Sequence, residues 1–187
     1  MNQNNPMWKL ILLANLIVFI LELFFFKGSD IRFFCIDINN FHIHQFITYQ
    51  FFHMNYSHIF SNMLGLVLFG PSIENFLGRN KFLFSYLFCG VIGALFQIYG
   101  LNTILLGASG AVFGLLGLYL LFINSIVKTK LHIFLTFLSI FKISEEILNI
   151  FLGTKDNIGH WTHIGGVVGS IIVFLIYRHG KRNRMEI

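Results

Sequence analysis

The amino-acid sequence predicts an all-α membrane protein of six membrane-spanning helices, from its composition, the spacing of its apolar blocks and the placement of its charges. Hydrophobic residues make up 56% of the 187 residues and charged residues only 11%, which is too few to coat a soluble domain of this length. The apolar residues fall in blocks of about 20, the length that crosses a bilayer core. We expect one domain over residues 1–187, with spanning helices at 7–26, 55–71, 82–100, 109–125, 131–151 and 161–177.

Basic residues stand at the ends of these blocks and predict the orientation of the chain, because cytoplasmic loops carry an excess of Lys and Arg. With a cytoplasmic N-terminus, the outer side receives only Lys27, Arg32 and Lys155. The cytoplasmic side receives the larger group, which is Lys9, Arg79, Lys81, Lys128, Lys130, Arg178, Lys181, Arg182 and Arg184. Both termini are therefore predicted to be cytoplasmic, with an outer loop at 27–45 and with the second, fourth and sixth helices running inwards from the outer side.

Composition also excludes several classes of protein. The net charge of +5 is carried at the ends of the blocks, as orienting residues are, so we predict no nucleic-acid partner. Cys35 and Cys89 are far apart and form no CxxC pair, which argues against a disulfide framework or a zinc knuckle. The first block is too long for a signal peptide and no small-residue cleavage site follows it, so we interpret it as a retained membrane helix.

Charged residues interrupt the fifth block, where Lys142, Glu145 and Glu146 stand. Each such residue costs about 2.5–3.5 kcal/mol at the centre of a membrane helix on insertion scales. We therefore expect this helix to face protein or water at that point, or to leave the lipid early.

The fourth block opens with Gly107-Ala108-Ser109-Gly110, and its serine has two interpretations. Small residues let helix backbones approach closely, so Ser109 can simply belong to a packing seam. In the second interpretation Ser109 is a nucleophile, because it lies in the first turn of a helix entered from the outer side. Free backbone N–H groups and the positive end of the helix dipole meet there, and both suit an oxyanion.

The sixth block opens with two histidines, His160 and His163, followed by Gly165 and Gly166. A single histidine at a membrane boundary is often only an interfacial residue, and His160 fits that description. The glycines let this helix pack against the small-residue face of the fourth helix. His163 would then lie at a depth similar to that of the serine, as a hydroxyl activated by an imidazole base requires.

His58 and Asn62 in the second block are four residues apart and share one helix face. Such a pair can bond a neighbouring helix, which is worth about 0.6–2 kcal/mol. It can instead supply donors for the negative charge that develops on a scissile carbonyl. Because three inward-running helices carry Ser109, His163 and this pair at matching depth, we favour a hydrolytic site.

In their order and spacing these motifs resemble those of the rhomboid family of intramembrane serine proteases, and the resemblance covers nearly the whole sequence. The family's HxxxN, GxSG and AHxxG-like elements are matched in order by His58-Ile59-Phe60-Ser61-Asn62, Gly107-Ala108-Ser109-Gly110 and Thr162-His163-Ile164-Gly165-Gly166. Further matches are Thr48 and His53, ahead of the first motif, and Glu74, which would be structural.

The resemblance implies a six-helix rhomboid-like bundle in which Ser109 attacks the peptide carbonyl and His163 takes its proton, without a triad carboxylate. The oxyanion would be bound by His58, Asn62 and the backbone N–H of Ser109. Structural positions near the site would be Gly107, Gly110, Phe113 and Gly166.

The resemblance also implies the partners and the setting of the reaction. The substrates would be single-span transmembrane proteins, cut in the lipid bilayer near the outer end of their helix, and no metal or other cofactor would take part. The chain lacks extra helices or targeting segments, which favours a bacterial plasma membrane. Two residues depart from the family: His44-Gln45 stand where Trp-Arg is frequent in the outer loop, and Phe113 stands where Tyr is frequent.

Three alternatives remain open at this stage. A catalytically inactive relative would bind membrane proteins without cutting them. A channel or transporter would show inverted repeats and broken helices in both halves, and the sequence shows neither. A metal site would need ligands beyond histidine, and no carboxylate or cysteine closely accompanies the pair at 160 and 163. The histidines considered for that site are His42, His44, His53, His58, His160 and His163.

Overall fold

Helices dominate the computed structural model, which describes residues 5–26, 29–98, 104–123, 129–154, 156 and 158–182. The α-helices of the described residues are α1 (Met7–Phe24), α2 (Ser29–Phe34), α3 (Gln45–Thr48), α4 (Tyr56–Leu77), α5 (Arg79–Ile98), α6 (Ser109–Leu118), α7 (Lys130–Leu152) and α8 (His160–Arg182). Tighter or wider helical turns lie at Ile38–Asn40, Tyr49–Phe51 and Tyr119–Ile123. Within these ranges, β pairing is limited to one bridge between Ile36 and Leu105. The all-helical prediction is confirmed.

Three of the described helices are long and apolar enough to cross a bilayer: α1, α5 and α8 as far as Arg178. The segment Ser109–Phe122, formed by α6 and the turn after it, is a shorter apolar helix. Helices α4 and α7 have 22 and 23 residues, but they carry more polar and charged side chains. The count of six spans and the cytoplasmic termini stay predictions.

Helix α4 is longer than expected, since the sequence predicted its end at Pro71 and it continues to Leu77. A proline removes one backbone N–H from a helix, and neighbouring helices and local adjustment make that loss tolerable in membrane proteins. The end comes at Gly78 instead. This residue has φ +82° and donates its N–H to the Glu74 carbonyl over 2.7 Å, a helix stop that favours glycine.

Other bounds differ from the prediction as well: α1 ends at Phe24, α5 begins at Arg79 and α8 continues to Arg182. The fourth span was expected to reach residue 125, but its α-helical part ends at Leu118 and a π-helical turn follows; residues 124–128 lie outside the described ranges. The outer segment 27–45 was treated as a loop, yet it contains α2. An exposed aspartate in the first turn of α2, Asp30, suits a helix start and is too weak a signal to have been recognised.

Glycines set the closest helix contacts, which α8 makes with α5 and α6. A side chain at Gly165 would come within 2.8 Å of the Cα of Gly93 in α5, and one at Gly166 would overlap the carbonyl oxygen of Gly110 in α6. Backbone therefore touches backbone at this crossing, as small residues permit in membrane helix packing. This close contact sets the distance between α6, which carries Ser109, and α8, which carries the two histidines.

The N-terminus of α1 is held by a carboxylate from another helix. Glu74 of α4 accepts the backbone N–H groups of Met7 and Trp8, each over 2.8 Å. These are first-turn donors with no partner inside α1, and the negative charge also complements the helix dipole. Helix α1, the most lipid-exposed of the three long apolar helices, is thereby tied to the core.

We expect Glu74→Ala to lower the stability of the folded protein by about 2 kcal/mol, because charge-assisted hydrogen bonds are lost from both donors. Thermal unfolding in detergent, followed by circular dichroism, measures the change. Asn75→Ala removes the exposed neighbour on the same helix and is the matched control. An unchanged unfolding midpoint for Glu74→Ala would contradict this anchoring role.

Candidate active site

A cavity of about 660 Å³ lies between α4, α6, α7 and α8 and is lined by side chains from all four helices. The residues predicted for catalysis line it together: His58 and Asn62 from α4, Ser109 and Phe113 from α6, and His163 from α8. The cavity lies at the start of α4, α6 and α8 and at the end of α7. In the predicted orientation this is the outer end of the bundle.

Ser109 is the first residue of α6, and its helix begins without a side-chain cap. Helices α4 and α7 differ, since the side chains of Asn55 and Thr129 accept a first-turn N–H at their starts. In α6 the first backbone hydrogen bond joins the Val112 N–H to the Ala108 carbonyl over 3.0 Å. The N–H groups ahead of it are left to face the cavity end of the helix, an arrangement that suits a bound anion.

Gly107 lets the His58 ring approach the start of α6. Its φ of +121° favours glycine, and a Cβ at this position would lie 2.6 Å from Nε2 of His58. The same point lies 3.7 Å from Nδ2 of Asn62. The Asn62 side chain is buried, and its Nδ2 has no hydrogen-bond partner among the described residues. Two possible donors thus stand close to Ser109, and one of them has its bonding capacity free.

His53 supports the orientation of His58 from the loop ahead of α4. Their ring centroids lie 5.1 Å apart, with the planes at 68°. Burial, reinforced by the neighbouring His58, lowers the pKa of His53 to about 3. His53 is therefore uncharged near neutral pH, and it packs against His58 without charge repulsion.

The His163 ring stacks on Phe113, with ring centroids 4.2 Å apart and an angle of 6° between the planes. Phe113 lies four residues after Ser109, about one turn along the same face of α6. This aromatic face therefore fixes the plane of the imidazole above the turn that carries the serine. The Ser109 hydroxyl has no hydrogen bond to any described residue in this state, His163 included. Catalytic hydrogen bonds are often long in unliganded enzymes and tighten when substrate binds.

A carboxylate that the sequence analysis did not connect with the site lies beside its histidines. Oε1 of Glu146 is 3.0 Å from Nδ1 of His163, and Oε2 is 2.5 Å from Nδ1 of His160. On the far side of His160, Nε2 is 3.1 Å from Oδ1 of Asp156. The expectation that no carboxylate closely accompanies the histidine pair was wrong. The charged interruption of the fifth block was the available signal, but only the fold shows which face of α7 meets α8.

Glu146, His160 and His163 could also hold a divalent cation, because they offer three buried ligand atoms within 4.8 Å of one another. The other histidines considered for a metal site do not join this cluster. His42 and His44 pack on Phe33 in the outer segment. These three side chains are chemically suited to bind zinc. They can equally bind protons in place of a metal.

Gln45 anchors the outer segment where relatives of the predicted family often carry arginine. The side chain is fully buried. Its Nε2 donates to the carbonyls of Arg32, Phe33 and Asn40 over 3.1–3.3 Å, and its Oε1 accepts the N–H groups of His42 and Asp37. One neutral amide thus binds five backbone groups at a position where the family often has a guanidinium fork.

Comparison with known proteins gives one family throughout. A model of the Rhomboid domain matches residues 40–179. The chain is 29% identical to the rhomboid protein YdcA of Bacillus subtilis (strain 168), over 75% of this chain and 70% of that protein. It is 30% identical to RHOMBOID-like protein 12, mitochondrial, of Arabidopsis thaliana, over 91% of this chain and 58% of that protein. It is also 31% identical to Rhomboid protease GluP of Bacillus subtilis, over 63% of this chain and 23% of that protein. The chain therefore spans less than two thirds of the length of the last two.

Proposed function

The chain belongs to the rhomboid family of integral membrane proteins, and on that basis we propose that it is an intramembrane serine endopeptidase. It cuts single-span membrane proteins near the outer end of their transmembrane helix, through a covalent acyl-enzyme. The proposal includes six spans with both termini in the cytoplasm, so that the cavity faces the outer side.

The observation that carries the proposal is the convergence of four polar side chains on one cavity. Ser109 supplies a hydroxyl at an uncapped helix start, and His163 supplies an imidazole held against Phe113. Asn62 contributes an amide without a partner among the described residues, next to His58. A packing seam needs none of these polar groups, whereas acyl transfer needs a nucleophile, a base and oxyanion donors.

The reaction follows from these positions. Oγ of Ser109 attacks the carbonyl carbon of the scissile peptide while Nε2 of His163 takes the hydroxyl proton. The carbonyl oxygen becomes an oxyanion, which accepts hydrogen bonds from the Ser109 N–H, His58 and Asn62. Collapse of this intermediate breaks the C–N bond, and His163 returns the proton to the leaving amine. The remaining ester is hydrolysed by water, with His163 again as base, and the serine is regenerated.

The proposed substrate is a transmembrane segment that must unwind before it is cut, because a helix hides its carbonyl groups in internal hydrogen bonds. The lipid bilayer delivers this segment from the side, and the reaction uses neither a cofactor nor nucleic acid. We place the protein in a bacterial plasma membrane, although relatives in its family bear mitochondrial and chloroplastic names.

Labelling with a serine-reactive fluorophosphonate tests the proposal. We expect the parent protein to be labelled in detergent or in liposomes, and Ser109→Ala to give no label. An inactive relative that only binds membrane proteins would give no label in either form. That result, or equal labelling of the two proteins, would refute the assignment of Ser109 as nucleophile.

A further inference from the structure

We propose that Glu146 is a positioning residue for His163, so that the site works as a serine–histidine–glutamate triad. The inference rests on the proposed function and adds a third helix, α7, to the machinery that activates the serine. It assigns a role to a buried carboxylate that a serine–histidine pair does not use.

The contacts of Glu146 are those of a carboxylate shared by two imidazoles. Its oxygens lie 3.0 Å from Nδ1 of His163 and 2.5 Å from Nδ1 of His160, and all three side chains are at most 9% exposed. The contact with His160 is an aligned hydrogen bond. The one with His163 is at hydrogen-bonding distance but off-angle in this state, and we expect it to align when substrate binds.

A carboxylate has only acceptors, so it selects the tautomer of the base. His163 must carry its proton on Nδ1 to bind Glu146, which leaves the lone pair on Nε2, on the other side of the ring. That lone pair is what the Ser109 hydroxyl needs. Phe113 fixes the plane of the ring, and Glu146 fixes its rotation within that plane. The negative charge also stabilises the imidazolium that forms during the reaction.

The surroundings of Glu146 distinguish it from its neighbour. Glu145 pairs with Lys142 over 2.7 Å, and both side chains are more than 40% exposed. The charges of that pair are therefore solvated by water. Glu146 is buried in the same helix, where an unpaired carboxylate would be costly. His160 binds its second oxygen, and Oδ1 of Asp156 lies 3.1 Å from the other ring nitrogen of His160 without an aligned hydrogen bond. The carboxylate is thereby held in one orientation, as a positioning residue requires.

Glu146→Gln is the variant that tests the proposal, with Glu145→Gln as the matched control. An amide keeps the shape but offers one acceptor and one donor, so it cannot accept from both histidines. We expect kcat to fall roughly 10²–10⁴-fold with KM unchanged, because proton transfer is impaired and binding is not. Labelling of Ser109 should slow in parallel, and Glu145→Gln should match the parent protein.

A second measurement does not depend on whether a Glu146 variant folds. In protein labelled with ¹⁵N-histidine, the nitrogen shifts of His163, assigned by their loss in His163→Gln, report which ring nitrogen carries the proton. The proposal requires protonation on Nδ1 near neutral pH. Protonation on Nε2 alone would overturn it.

The remaining outcomes are equally decisive. Wild-type kcat in a folded Glu146→Gln protein, with Ser109→Ala inactive, would refute the triad and leave the protease assignment intact. Cleavage that survives Ser109→Ala would refute the protease assignment itself. Loss of activity in a chelator, restored by zinc, would show that the cluster of Glu146, His160 and His163 holds a metal, and it would overturn the positioning role.

Discussion

Ser109→Ala and His163→Ala are each expected to abolish cleavage of a single-span model substrate. Each substitution removes an atom that takes part in the reaction, either the nucleophilic oxygen or the nitrogen that accepts its proton. In serine hydrolases the loss of either group costs about 10⁶-fold in kcat, and removing both costs little more because they act as a unit. The double variant should therefore be no less active than the single variants.

The measurement is cleavage of a fluorescently tagged substrate in liposomes, with folding checked by circular dichroism and gel filtration. Ser144→Ala, at an exposed serine of α7, is the control and should cleave normally. The Ser109 hydroxyl makes no hydrogen bond with the described residues, so its removal should leave the unfolding midpoint unchanged. Cleavage by folded Ser109→Ala at the parental rate would exclude the proposed chemistry.

Asn62→Ala is expected to slow cleavage by about 10²–10³-fold, since one lost oxyanion donor costs about 2.7–4 kcal/mol. The loss should appear in kcat, because the amide acts on charge that exists only in the transition state. The remaining donors, His58 and the backbone N–H of Ser109, keep some activity. Asn62→Ala should therefore be slower than the parent protein and still measurably faster than Ser109→Ala.

Asn15 provides the matched control, because it is also a buried asparagine within a long helix. Its Nδ2 donates to the Ile11 carbonyl over 2.8 Å, whereas Nδ2 of Asn62 has no partner among the described residues. Asn15→Ala should cost stability and leave kcat unchanged, and Asn62→Ala should do the reverse. Equal effects on kcat would contradict a transition-state role for Asn62.

The sequence was most informative where a residue capable of catalysis stands at a recognisable position in a predicted helix. Membership of the rhomboid family is confirmed, and so is the all-helical fold. Ser109 could be selected because it follows a glycine at the head of an apolar block, and His163 because glycines follow it. Both choices rest on local features, and the structure brings these residues to one cavity.

Features that depend on contacts between distant segments could not be predicted. The rotation of α7 about its axis decides whether Glu146 or Glu145 faces α8, and the charged block at 142–146 has no clear apolar stripe to set it. In the sequence Gln45 looks like a polar loop residue, and its five backbone partners become evident only once the outer segment is folded. Pro71 indicates a helix end by local preference, which packing in the bundle overrides.

The glycine contact between α6 and α8 limits how this protein can evolve. A side chain at Gly166 would overlap the main chain of Gly110, and one at Gly110 would crowd Thr162 of α8. Any larger residue at either position can only push the two helices apart, so mutation there can weaken the coupling of serine and histidine but never tighten it. In the proposed reaction, gains in rate or changes in preference would instead come from those side chains of α4 and α7 that line the cavity without a part in the chemistry, such as Leu64, Leu68 and Leu138.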